Sequence, residues 1–213
     1  MQWLYPERIW AFSRSSNSVF LTFDDGPIPE VTPWVLDELK KHNAKATFFC
    51  IGENIQKHPE IFRRILVEGH SVGNHTFNHL KGTKTETSEY IENVLKCEDI
   101  ISTIQKNSPF KGDREDVSNS EFLFRPPYGK ITSKQAKILQ SKGFKIVMWD
   151  IISYDYDATI SEEKCLQNVL KNIKPGSVIV FHDSLKAEKN LRHVLPKVLE
   201  FIGEKSLQCK AIN

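Results

Sequence analysis

Two hydrophobic textures alternate along the chain. Short runs of β-branched and aromatic residues occupy positions 19–23, 46–51, 122–124, 144–149 and 177–181, the pattern of buried strands. Between them lie stretches with helical spacing. In 29–43 the apolar positions are Val31, Trp34, Val35, Leu36 and Leu39, with Pro33 tolerable in a first turn. In 59–69 they are Ile61, Phe62, Ile65 and Leu66, and Gly69 is placed to stop the helix. Further helices are predicted over 86–105, 132–143, 161–173 and 193–202, the last despite Pro196. Strand and helix in alternation imply an α/β fold with a largely parallel sheet covered by helices.

Composition narrows the class without naming it. A chain of 213 residues buries an adequate core as one domain, so 1–213 is expected to form a single unit. The 13 Phe, 5 Tyr and 4 Trp are too much aromatic surface for a disordered chain. A net charge of +2 gives no reason to expect a nucleic-acid or anionic-membrane partner. Cys50, Cys97, Cys165 and Cys209 match no zinc-knuckle spacing and are expected to be free and mostly buried. No apolar run is long enough for a transmembrane segment, and MQWLYPERIW has no signal-peptide pattern. A cytoplasmic location is therefore expected if the chain is full length, with removal of a leader as the alternative. The polar stretch 107–121, NSPFKGDREDVSNSE, is expected to be a long surface loop.

The informative residues are polar ones at strand exits. VFLTF runs into Asp24-Asp25-Gly26-Pro27, where two adjacent carboxylates repel each other unless something positive shares the site. Ordinary turn chemistry is the bland alternative. His75 and His79, four apart in HTFNH, are expected on one side of a helical turn, close enough to ligate one ion together with an Asp. Arg125 ends an apolar strand and is followed by the rigid Pro126-Pro127 turn. Trp149-Asp150 leads into SYDYD, and Val178 to Phe181 run straight into His182-Asp183. His42, His58 and His193 are expected to face solvent, and His70 to be structural. One such exit is unremarkable, but in α/β folds the C-terminal strand ends are where active sites assemble.

With these motifs together, the sequence resembles the polysaccharide deacetylase family, the NodB-homology or carbohydrate esterase family 4 group. TFDDGP at 22–27, HTFNH at 75–79, RPPYG at 125–129 and VIVFHD at 178–183 stand in the family's order. The resemblance implies a distorted, incomplete (β/α) barrel of about seven strands with the site at its C-terminal mouth. It implies one divalent metal ion, usually zinc, held by Asp25, His75 and His79. It makes Asp24 the general base held by Arg125, the backbone N–H of Tyr128 an oxyanion donor and His182 the general acid. The fourth motif departs from the family pattern: WDIISYDYD at 149–157 has Ile152 where an Asp is common and Tyr156 where a Trp is common. Asp155 is the candidate to orient His182, and Tyr128, Trp149 and Tyr156 are candidates to contact a sugar. The implied reaction is hydrolysis of the acetamide of an N-acetylglucosamine-containing glycan. Hydrolysis of another amide or an O-acetyl ester, and a lapsed carbohydrate-binding protein, are the alternatives.

Overall fold

A computed structural model describes residues 5–106 and 122–213, so the predicted loop at 107–121 lies outside the described residues. The strands are β1 (Ser18–Asp24), β2 (Ala46–Cys50), β3 (Ser71–Asn74), β4 (Phe122–Phe124), β5 (Phe144–Ile146), β6 (Ile151–Ile152), β7 (Val178–His182) and β8 (Gln208–Cys209). The helices are α1 (Thr32–Lys41), α2 (Gly52–Lys57), α3 (Pro59–Val67), α4 (Thr87–Lys106), α5 (Ser133–Ser141), α6 (Glu162–Leu170) and α7 (Glu188–Glu204). The sheet runs β5-β4-β3-β2-β1-β7-β6, with β8 added to the start of β1, and every pairing between named strands is parallel. It is a curled, incomplete barrel flanked by helices, as expected. Its seam is partly covered by the N-terminal segment: Ile9 pairs with Val147, and the Phe12 N–H donates to the Gly176 carbonyl at 2.8 Å.

The twofold period of β1 sorts its side chains. Val19, Leu21 and Phe23 face outward into the main core with Phe48, Ile179, Phe181 and the helix residues Val35, Leu36, Leu195 and Val198. Phe20 faces inward with Phe49, Leu123, Val147, Val178 and Ile212. Each fully buried Phe or Leu in these clusters contributes about 1.5–3 kcal/mol. Thr22 and Asp24 continue the inward face, and β1 pairs Asp24 with His182 of β7. Alternation alone therefore brings a carboxylate and an imidazole into the mouth.

Several predicted boundaries move. The first helix is Thr32–Lys41 and starts later than 29–43, with Pro33 in its first turn. α5 carries the capping box of Thr132 and Gln135, and α6 is capped by Ser161. α7 begins at Glu188 rather than at His193 and carries Pro196 inside it. The strand predicted over 144–149 stops at Ile146, and β6 follows as a separate short strand. Cys50, Cys97 and Cys165 are buried and Cys209 half-buried, all four free. Among the described residues no helix is long and apolar enough to cross a membrane.

Candidate metal and acid–base site

Asp25, His75 and His79 converge at the mouth, with one ligand atom from each lying within 4.8 Å of the others. The His79 Nε2 is 3.3 Å and the His75 Nε2 3.8 Å from Asp25 Oδ1. That Oδ1 is buried without a hydrogen-bond partner, an expensive arrangement for a carboxylate oxygen unless a cation occupies the space beside it. Two imidazoles and a carboxylate suit a divalent ion and leave room for water or substrate. The donor set fits the metal implied by the sequence. Burial disfavours ionisation of Asp25, yet His79, His182 and His75 around it hold its carboxyl well below the usual range.

The orientation of His75 is fixed from behind. Its Nδ1 is 2.8 Å from the Arg125 carbonyl, which can only accept, so Nδ1 carries the hydrogen and Nε2 is left for the ion. Burial pulls the ring's pKa down to about 4, which keeps it in the neutral, ligating form at pH 7.

The histidine pair does not sit on a helical turn, contrary to expectation. It lies in the irregular segment after β3, where Thr76 (φ 67°) and His79 (φ 62°) adopt the left-handed region. For a β-branched Thr this backbone is strained, and its neighbours hold it there. The Thr76 N–H donates to Asn74 Oδ1 at 2.9 Å, and the Thr76 hydroxyl accepts from Leu80 N at 3.1 Å. The Gly52 and Glu53 N–H groups of the first turn of α2 donate to the carbonyls of Thr76 and Phe77. These are helix-end donors that otherwise lack partners. From α4, Asn93 Oδ1 accepts the Phe77 N–H, while the Asn74 side chain donates to the Val94 carbonyl and to Glu98. Asn74 and Asn93 were not singled out from the sequence. The only signal was the position of Asn74 directly before His75.

Arg125 is fully buried, and each of its three guanidinium nitrogens is hydrogen-bonded. Nη1 donates to Asp24 Oδ1 and to the Thr22 hydroxyl, both at 2.7 Å, while Nε and Nη2 donate to the carbonyls of Val147 and Met148. The Thr22 hydroxyl passes its own hydrogen to the Ile179 carbonyl. Arg125 also packs 4.1 Å over the Phe49 ring and 5.7 Å from that of Trp149. Asp24 Oδ1 is thereby pinned, and Oδ2 takes no hydrogen bond from the described residues.

On the neighbouring strand β7, His182 is held by both oxygens of Asp155, which is 1% exposed. Oδ1 is 2.7 Å from the ring Nδ1, and Oδ2 accepts the His182 backbone N–H at 2.7 Å. Burial alone lowers an imidazole pKa, but Asp155, Asp24 and Asp25 push this one up to about 9. His182 is thus cationic at neutral pH, with its second nitrogen, Nε2, carrying the available proton. The substitutions at Ile152 and Tyr156 leave this pair intact. Tyr156 stands edge-on to the His182 ring with centroids 4.7 Å apart.

Tyr128 has φ 59° and ψ 10°, and its exposed ring lies 4.6 Å from that of His79. Trp149 is half-buried, packed so closely on Gly129 that a Cβ there would fall 2.7 Å from its ring. The Asp150 carboxylate belongs to the other end of the sheet, where it accepts the Val178 N–H and the Ser177 hydroxyl. His70 is likewise remote and structural, its Nδ1 accepting the Ala46 N–H.

The chain is similar to known proteins. Residues 13–147 match the family described as polysaccharide deacetylase, a stretch that ends before Asp155 and His182. A peptidoglycan-N-acetylglucosamine deacetylase of Bacillus cereus is 42% identical over 177 residues, covering 82% of this chain. The match spans 60% of that relative's own length. A chitooligosaccharide deacetylase of Azorhizobium caulinodans is 34% identical, with 80% of this chain and 76% of the relative covered. Among solved structures, the Bc1960 peptidoglycan N-acetylglucosamine deacetylase superposes with a TM-score of 0.86 at 33% identity, over 100% of this chain and 94% of the other. A family 4 carbohydrate esterase from Streptomyces lividans, solved with acetate, gives 0.77 at 26% identity, over 92% and 93%. The chain belongs to the polysaccharide deacetylase family.

Proposed function

We propose that the chain is a metal-dependent hydrolase that removes the acetyl group from N-acetylglucosamine units of a glycan, with zinc as the ion. The observation that carries this reading is the gathering, at the C-terminal ends of the neighbouring strands β1 and β7, of the Arg125–Asp24 pair, the Asp155–His182 pair and the Asp25, His75 and His79 triad. The names of the two relatives above support the substrate class.

Asp25, His75 and His79 would hold the ion. A divalent cation there supplies Lewis acidity, acidifying water and polarising the acetamide carbonyl. Asp24, fixed by Arg125 through one oxygen, takes the proton of the attacking water with the other. The backbone N–H of Tyr128 donates to the oxyanion that develops on the carbonyl oxygen. His182 then gives its Nε2 proton to the departing amine, while the Asp155 carboxylate stabilises the imidazolium beforehand and keeps the ring aimed. Acetate and a free amino sugar leave. Tyr128, Trp149 and Tyr156 form aromatic walls for the sugar rings.

The test is acetate release from chitooligosaccharides, peptidoglycan fragments and acetylated xylan, each with and without chelator. The proposal expects chelator-sensitive release from one or both N-acetylglucosamine substrates. Release from xylan alone would assign the site to O-acetyl esters instead, and no release from any of them would remove the hydrolase reading.

A further inference from the structure

The residue after His182 has no part in the chemistry above, yet it is among the most confined carboxylates in the molecule. Asp183 is 0% exposed and has no cationic partner among the described residues. An unpaired buried carboxylate is destabilising by several kcal/mol unless its oxygens are otherwise satisfied. Both are, one by the turn that follows β1 and the other by the first residue of α1. Oδ1 accepts the Gly26 N–H at 3.0 Å, and Oδ2 accepts the Thr32 hydroxyl at 2.6 Å. Thr32 Oγ1 in turn accepts the Ile28 N–H at 2.8 Å, so the carboxylate reaches both ends of the Gly26–Ile28 segment. The Asp183 N–H also donates to the Asp24 carbonyl at 3.0 Å, extending the β1–β7 ladder one step past Asp24 and His182.

The turn held in this way carries Asp25, whose φ of 86° is a backbone conformation that an L side chain rarely adopts. That conformation lets consecutive carboxylates serve different partners, Asp24 the Arg125 guanidinium and Asp25 the two histidines. The grip is close. A Cβ built on Gly26 would lie 2.0 Å from Asp183 Oδ2, so only glycine fits against the carboxylate. Other contacts to the turn come from the Asn54 side chain, which donates to the Asp25 carbonyl, and from the Ile51 N–H, which donates to that of Gly26.

We propose that Asp183 is a positioning residue of the metal centre, holding the Gly26–Ile28 turn so that Asp25 faces His75 and His79. This rests on the reading of Asp25 as a metal ligand, and its test needs no substrate. Zn2+ affinity is measured on the purified full chain by competition with a chromophoric chelator, and the melting of the metal-free protein reports folding. Asp183→Ala is expected to bind Zn2+ about 100-fold more weakly, and Asp183→Asn and Thr32→Val about tenfold more weakly, the range found when groups supporting metal ligands are removed. Gly26→Ala is expected to weaken binding strongly in the wild-type background and to add little in Asp183→Ala, because the clash and the grip are one contact.

Wild-type affinity in folded Asp183→Ala would overturn the inference. So would additive losses for Gly26→Ala and Asp183→Ala. If Asp183→Ala does not fold, wild-type affinity in both Asp183→Asn and Thr32→Val overturns it. A wild-type chain that binds no Zn2+ refutes the ligand role of Asp25, and this inference with it. A chain that binds Zn2+ but releases no acetate leaves the affinity comparison valid, so the two failures are distinguishable.

Discussion

The mouth of the sheet holds two buried carboxylate–cation pairs built on different principles. In the first, Asp24 meets Arg125, whose guanidinium is completely enclosed and bonded to two carbonyls, a hydroxyl and the carboxylate. Arginine cannot lose its proton under working conditions, so this pair is a fixed clamp. In the second, Asp155 meets His182, an imidazole whose charge comes and goes with a pKa of about 9. In the proposed mechanism the first pair holds a base still, whereas the second stores a proton that can be given away. The proposed hydrolysis needs both at one bond, and the parallel pairing of β1 with β7 sets Asp24 beside His182 at the ends of neighbouring strands.

Substitutions that treat the pairs alike should give unlike results. The largest loss is expected from Asp24→Asn, which keeps the shape and the metal ligands but removes the proton acceptor. Turnover should fall by about 10³-fold, within the range for general bases, while metal content by elemental analysis stays at the wild-type level. Arg125→Lys is expected next. A lysine presents its donors from one point and cannot serve the four acceptors that the fork reaches. Turnover should fall by about 10²-fold, and chemical denaturation should show a loss of about 3 kcal/mol as the buried pair is broken.

Asp155→Asn should act through pH. Asp155 heads the groups that raise the His182 pKa, and burial alone lowers it. Without the carboxylate, the alkaline limb of the rate profile should move from near 9 toward neutral pH, with about a tenfold lower rate at pH 8. An unmoved limb would mean that His182 is not the group titrating there. The same pairing stabilises the folded chain only while His182 is charged. Its contribution is complete below the imidazole's ordinary 6.5 and disappears as pH rises through about 9, so the wild-type advantage over Asp155→Asn in melting temperature should narrow across that window. The smallest effect is expected from Tyr156→Trp, which restores the more common family residue beside His182 and should change KM by about threefold with little change in kcat.

The same contrast explains what could be read from the chain beforehand. Strands β1, β2 and β7 announce themselves because their residues are largely apolar on both faces, and the Asp24 that ends β1 and the His182 that ends β7 are conspicuous for that reason. β3 does not, since SVGN offers one apolar side chain. It is buried because Gly73 leaves space for the Phe49 ring, a relation between strands that no local window contains. The histidine spacing places the two rings together, as the structure does, but by a helical turn that the structure does not have. The strained backbone at Thr76 is stabilised by α2 and α4, elements distant in sequence. Arg125 and His182 were visible as isolated charges at strand exits. Asp155 became a candidate only through the resemblance, because its partner lies 27 residues away. Asn74, Asn93, Thr22 and Asp183 act on backbone or on other side chains, and such roles leave little trace in residue type alone.

The measurement closest to the central claim compares wild type and Asp24→Asn, with and without chelator, for acetate released from N-acetylglucosamine oligomers and for bound metal. The account predicts that the wild type releases acetate, stops when the metal is stripped and recovers when Zn2+ is returned. Asp24→Asn should retain the metal and release almost none. Undiminished release by the stripped wild type, or by metal-loaded Asp24→Asn, would contradict it.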